Sequence, residues 1–124
     1  MIRGVRGAVT VDQNCEAEIL EATELLIRQM IQENNIVSED VASVFISVTE
    51  ELTAAFPAKA MRSIEGWTYV PVMCMSEIPV EGSLPNCIRV MMHVNTDAPQ
   101  QNIRHIYLRG AIKLRPDLNT ANSP

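Results

Sequence analysis

A permanent positive charge, Arg89, sits in the middle of the apolar run Cys87-Ile88-Arg89-Val90-Met91-Met92-His93-Val94. The run reads as a buried strand. A guanidinium stays protonated at any ordinary pH. Burying it requires an anion or a strongly polar group held opposite. Strand alternation places Ile88, Val90, Met92 and Val94 on one face and Cys87, Arg89, Met91 and His93 on the other. The first face is purely apolar and is expected to pack on a core. The second carries every polar group in the run and is expected to face a cavity or an interface. For this run taken alone, a structural ion pair from Arg89 to an internal carboxylate is the simpler account.

Further charges lie in or beside apolar segments: Arg6, Arg115 and the sequence Cys74-Met75-Ser76-Glu77, which reads as a turn. Lys59 and Arg62 add positive charge on a short helix, where by themselves they read as a solvated face. Converging arginines in an acidic protein suggest a small anionic ligand, most simply a di- or tricarboxylate. Cys74 and Glu77 are three apart and would point the same way in a turn. Glu77 can pair with an arginine or accept a hydrogen bond from a ligand hydroxyl. Cys74 alone reads as a small buried hydrophobe. No histidine is placed to serve as its base, so a thiolate nucleophile is disfavoured. His93 and His105 read as solvated or hydrogen-bonded histidines. No Ser/His/Asp pattern, phosphate-cradling glycine loop or metal-ligand spacing is present. Such a set offers charge and hydrogen-bond donors without a nucleophile, which suits a reaction needing only shape and electrostatics.

The elements that must position these residues follow from pattern. A chain of 124 residues, 47% of them apolar, forms one domain with a real core. A strand is expected over 2–10, with Gly4 and Gly7 marking a bulge or close approach. A helix follows over about 15–35, capped by Asn14 or Asp12, with Ile19, Leu20, Thr23, Ile27, Met30 and Ile31 as its apolar stripe. A second strand covers 41–48, a loop 50–55, and a short helix 56–64 with Pro57 at its first position. Residues 67–72 read as a third strand, at an edge or bulge because of Pro71. A loop at 81–86 precedes the Arg89 strand, Asp97 is expected to cap another short helix, and 106–114 reads as a fifth strand. The domain is expected to span 1–116, followed by a fraying tail, 117–124. The result is an α+β single domain with a five-stranded mixed sheet and two or three helices. So few helices leave one sheet face uncovered, and self-association is the natural solution.

Composition narrows the partners. A formal charge of -5 without a Lys/Arg block argues against nucleic acid. No segment approaches the roughly 20 apolar residues that span a bilayer. The first seven residues lack the apolar core of a signal peptide, so a cytoplasmic location is expected. Three cysteines without CxxC spacing suggest neither a disulfide framework nor a zinc site.

Several segments, in order, resemble the monofunctional chorismate mutases of the Bacillus type. They are Arg3-Gly4-Val5-Arg6-Gly7-Ala8, Phe56-Pro57-Ala58-Lys59-Ala60, Gly66-Trp67-Thr68-Tyr69-Val70-Pro71-Val72, the Arg89 run, and Ile103-Arg104-His105-Ile106-Tyr107-Leu108 followed by Leu114-Arg115-Pro116-Asp117-Leu118. The resemblance spans nearly the whole chain. It implies a homotrimer whose sheets form the centre of a pseudo-α/β barrel, with active sites between subunits. It implies chorismate as substrate, prephenate as product, and no cofactor. By this resemblance Arg89 would donate to the ether oxygen of chorismate and to a carboxylate. Glu77, with Cys74 beside it, would bind the ring hydroxyl, and Arg6 and Tyr107 would hold a carboxylate. Phe56, Ala58, Val72 and Leu114 would form apolar walls. Lys59, Arg62 and Arg115 would line the entrance. Met73 stands where the resemblance leads one to expect a small polar residue. Two alternatives stay open at this level: a trimeric enamine/imine deaminase of the same general fold, and a non-catalytic module that binds a carboxylate metabolite.

Overall fold

The computed structural model describes residues 1–114. Arg115, the expected domain limit at 116 and the tail at 117–124 lie outside the described residues. The chain runs through β1 (Ile2–Thr10), α1 (Glu16–Asn34), β2 (Val41–Val48), β3 (Val72–Ser76), β4 (Cys87–Asn95) and β5 (Ile106–Leu108). Short 3₁₀ turns at Ser38–Asp40, Pro57–Ser63, Gln100–Asn102 and Arg109–Leu114 fill the connections. The five strands form one mixed sheet in the order β3-β2-β4-β1-β5. Strand β4 is antiparallel to β1 and β2, and the edge strands β3 and β5 run parallel to their neighbours. The single α+β domain agrees with the sequence. Of the expected helices, α1 is α-helical, and the segments after Phe56 and Pro99 are 3₁₀.

Helix α1 forms where glutamates cover one side and apolar residues recur on the other. Its buried residues are Ile19, Ala22, Thr23, Leu26, Ile27 and Met30, so Leu20 and Ile31 lie at the margin of the stripe. They pack on Val5 and Val9 of β1, Val44 and Ile46 of β2, and Ile88, Val90, Met92 and Val94 of β4. The helix approaches closely at Gly7, where a Cβ would lie 2.6 Å from the Met30 sulfur and 3.0 Å from Leu26 Cδ1. The helix ends on Asn35, whose left-handed φ of 51° suits asparagine. Cys15, with no side-chain cap, occupies the N-cap. Asn14, one of the expected caps, instead accepts the N–H groups of Thr53 and Ala54 at 3.0 and 2.9 Å and ties down the 50–55 loop.

Two strand boundaries differ from expectation. The third strand begins at Val72, beyond the expected 67–72 segment. Trp67 is buried as an anchor in the core, and Val70 N–H closes a turn onto Trp67 O at 3.1 Å. Pro71 has no N–H to give, so continuous pairing starts after it. Cys74, Met75 and Ser76 therefore lie in a strand and not in a turn. The fifth strand is shorter than 106–114. Among the described residues it pairs only with β1, from Gly7–Ile106 to Val9–Leu108, and β1 ends at Thr10. Beyond it Arg109 takes a left-handed φ of 55° and a 3₁₀ turn begins. Asp97 does not cap the following turn, which opens at Pro99.

The face of the sheet away from α1 carries a row in register: Tyr107, Ala8, Arg89, Ser47 and Met75. The next row contains Arg6, Met91, Phe45 and Met73. Among the described residues, the cover on this face is the Arg109–Leu114 turn. Its Ala111 and Leu114 pack on Ala8, Cys87 and Tyr107 at one end. The uncovered face expected from the helix count is present.

Candidate active site

Strand pairing alone brings four of the expected residues together. Arg6, Glu77, Arg89 and Tyr107 line one cavity of about 320 Å³ on the open face, with Phe45, Ser47, Met75 and Met91. Arg89 arrives from the central strand β4, Arg6 from its neighbour β1, and Tyr107 from the edge strand β5. Glu77 follows directly after β3, and its N–H extends the ladder to Val48 O at 2.9 Å. The Arg6 N–H is held by His105 Nδ1 at 2.9 Å, which ties β1 to the segment entering β5.

Arg89 Nη1 lies 3.2 Å from Glu77 Oε1, and the Ser47 hydroxyl donates to Glu77 Oε2. The carboxylate anticipated opposite Arg89 is therefore Glu77. The pair is not sealed in a core: the Arg89 side chain is 46% exposed and that of Glu77 20%. The expectation of a buried guanidinium is corrected accordingly. An ion pair this open contributes at most about 1 kcal/mol to folding, so stability alone is a weak account of it.

A second cleft, of about 820 Å³, opens on the other side of the β3 edge. Phe56, Ala58, Lys59, Arg62 and Cys74 line it, together with Val48, Leu52 and Met75. Phe56 is 79% exposed. Lys59 reaches Glu16 at 3.4 Å in a solvent-exposed pair. Cys74 and Glu77 do not point the same way. Cys74 falls on the core-facing parity of β3 and packs against the main core, whereas Glu77 turns into the first cavity. Val72 also packs on that core, Leu114 packs beside Tyr107, and Met73 is exposed on the open face; these three line neither cleft.

Ser47 was not expected here. Its position was legible in part, since Ser43, Phe45 and Ser47 are the polar-side residues of an alternating strand. That Glu77 would fall beside it depends on the β2–β3 pairing, which no local pattern gives.

Beneath Tyr107 and Ala111 the Cys87 thiol is buried, and burial pushes its pKa from the ordinary 9.0 up to about 11, against the opposing pull of the Arg89 guanidinium. Below pH 9 the thiol is neutral in both folded and unfolded chains. Between about pH 9 and about 11 only the unfolded chain ionises, so stability is lost as pH rises through that window. The urea midpoint is expected to fall more steeply from pH 9 to 11 in the native protein than in Cys87→Ala. Parallel falls would show that this thiol is not the group responsible.

Comparison with known proteins adds independent evidence. A family model described as chorismate mutase type I matches residues 2–118. The chain is 54% identical to chorismate mutase AroH of Bacillus subtilis strain 168 over 119 residues, covering 96% of this chain and 94% of that protein. It is 50% identical to chorismate mutase AroH of Thermus thermophilus over 122 residues, covering 98% and 99%. The solved chorismate mutase from Clostridium thermocellum Cth-682 superposes with a TM-score of 0.84 at 49% identity, over 87% of this chain and 96% of that one. With a family match over residues 2–118 and 50–54% identity to two such enzymes over nearly the whole chain, the chain belongs to the type I chorismate mutase family.

Proposed function

We propose that Arg89 and Glu77 form the catalytic centre of this chorismate mutase, in active sites placed between the subunits of a homotrimer. The activity follows from the family: the enzyme is an isomerase that rearranges chorismate to prephenate by a [3,3]-sigmatropic shift, in aromatic amino-acid biosynthesis. The observation that carries the residue assignment is the single cavity lined by two arginines, one glutamate and one tyrosine, Arg6, Arg89, Glu77 and Tyr107. Chorismate presents two carboxylates, a ring hydroxyl and an ether oxygen, and each has a complementary group there.

The chemistry moves no proton and forms no covalent intermediate. As the C–O bond lengthens, negative charge builds on the ether oxygen. In this reading Arg89 donates to that oxygen and to a carboxylate, so it binds the transition state more tightly than the substrate. Glu77 accepts the ring hydroxyl, and Arg6 with Tyr107 grips the remaining carboxylate. A millionfold acceleration needs about 8 kcal/mol. One preorganised donor supplies ~3–4 kcal/mol, and holding the flexible enolpyruvyl arm over the ring supplies the rest.

The two clefts support the trimer. One subunit supplies Arg6, Glu77, Arg89 and Tyr107, and the neighbour supplies Phe56, Ala58, Lys59, Arg62 and Cys74. The family resemblance assigns Val72, Met73 and Leu114 to the walls that the neighbouring subunits complete, and Arg115, outside the described residues, to the entrance. In a single chain Met73 is 60% and Ile78 80% exposed, together with Phe56 and Met75, and an apolar surface of that kind is normally covered. No helix among the described residues is long and apolar enough to cross a membrane, and the reading places the enzyme in the cytoplasm. The family match over residues 2–118 sets the deaminase aside.

Loss of chorismate absorbance with purified protein tests the reading directly; binding without loss would leave the silent module. Sedimentation at micromolar concentration is expected to give three subunits, and a stable active monomer would remove the interface model. Because no proton moves, kcat is expected to vary by no more than about twofold between pH 6 and 9, unlike the bell of an acid/base pair. A sharp limb near neutrality would point to a titrating catalytic group instead.

A further inference from the structure

We propose that Ser47 is a positioning residue. It holds one oxygen of Glu77 so that the carboxylate cannot clamp Arg89 with both, and Arg89 thereby keeps donors free for the substrate. The inference rests on the assignment of Arg89 and Glu77 given above.

Ser47 lies on β2 in register with Arg89 on β4, and its other neighbour in the row is Met75. Its hydroxyl donates to Glu77 Oε2, while Glu77 Oε1 receives Arg89 Nη1 at 3.2 Å. The two oxygens are thus divided between two donors. The backbone of Glu77 is fixed by its bond to Val48 O, but the side chain has rotatable bonds beyond that anchor. A guanidinium and a carboxylate left to themselves favour two parallel N–H···O bonds, usually of about 2.7–2.9 Å. Here one longer contact joins them. A forked pair would occupy the N–H groups that the mechanism directs at the ether oxygen and a ligand carboxylate. The Ser47 hydroxyl opposes that collapse by drawing the second oxygen to itself, so that a single oxygen meets Arg89. Ser43, the other serine on this face of β2, cannot substitute: its hydroxyl is bonded to His93 Nδ1 at 3.1 Å.

The geometry separates this role from a structural one. Ser47 lines the cavity and is only partly buried, so removing its oxygen leaves Glu77 free to turn to Arg89 or to water. The loss should therefore appear in turnover and not in assembly. The expected scale is a loss of roughly tenfold, about 1.4 kcal/mol at 25 °C.

The test measures kcat and KM for chorismate with native protein, Ser47→Ala, Ser47→Cys and Ser47→Thr, each with Glu77 present and in a Glu77→Ala background. Ser47→Ala and Ser47→Cys are expected to lower kcat/KM about tenfold, mostly through kcat. Ser47→Thr keeps the hydroxyl on a residue suited to a strand and is expected to stay within about threefold of native. In the Glu77→Ala background, Ser47→Ala is expected to change the rate less than about twofold, because its partner is gone. Native kcat/KM in Ser47→Ala, or the same tenfold loss without Glu77, overturns the proposal. If Ser47→Ala does not fold, Ser47→Cys carries the test with a thiol, a weak donor, in place of the hydroxyl. Absence of turnover in the native protein would instead overturn the assignment on which the inference rests.

Discussion

Arg89→Lys is expected to lower kcat by about a hundredfold or more, the scale of losing one oxyanion-type donor, with the fold and assembly unchanged. Lysine keeps the charge but replaces a planar fork by a point charge on a flexible stem. It cannot address the ether oxygen, a carboxylate and Glu77 Oε1 together. The loss belongs in kcat, because the interaction strengthens only as the bond breaks. Folding should be spared, since the replaced side chain is 46% exposed on the open face and the apolar parity of β4 is untouched. Steady-state kinetics with chorismate, together with sedimentation of the variant, decide the matter. Near-native kcat in an intact assembly would return Arg89 to the status of a structural ion pair with Glu77.

The sequence disclosed the two faces of β4 because alternation there is clean: Ile88, Val90, Met92 and Val94 are buried, and Arg89 stands on the opposite side. The helix was legible for a similar reason, since apolar positions recur along one stripe between Cys15 and Asn35. What was not legible depends on partners. Residues 67–70 have strand-like composition, yet Trp67 turns into the core and Pro71 delays pairing. Strand β5 stops at Leu108 because β1 stops at Thr10, a limit set elsewhere in the chain. The direction of Cys74 follows from strand parity, so reading a turn there joined it wrongly to Glu77. The approach of Ser47 to Glu77, and of Tyr107 to Ala8 beside Arg89, exists only after β2 has paired with β3 and β1 with β5. Local pattern gave the faces; cross-strand register decided which side chains share a cavity.

Glu77→Ala is expected to lower kcat/KM by roughly a hundredfold, and its effect is not independent of Arg89. Two losses combine in this variant. The ring hydroxyl loses a charged acceptor, a bond worth about 1.5–3 kcal/mol. Arg89 also loses the group 3.2 Å away that fixes its guanidinium on the open face. Glu77→Gln retains an acceptor without the charge and is expected to fall between the native enzyme and Glu77→Ala. Since part of the Glu77 effect acts through Arg89, the double variant Arg89→Lys with Glu77→Ala should be less impaired than the two single losses multiplied together. Contacting charged groups typically couple by about 0.5–3 kcal/mol. A cycle of four rate measurements, made at saturating and at limiting chorismate, reads that coupling in kcat and in kcat/KM. If the two losses simply multiplied, Glu77 would act on the substrate alone, and the Arg89–Glu77 pair of the free enzyme would have no part in setting up the transition-state donor.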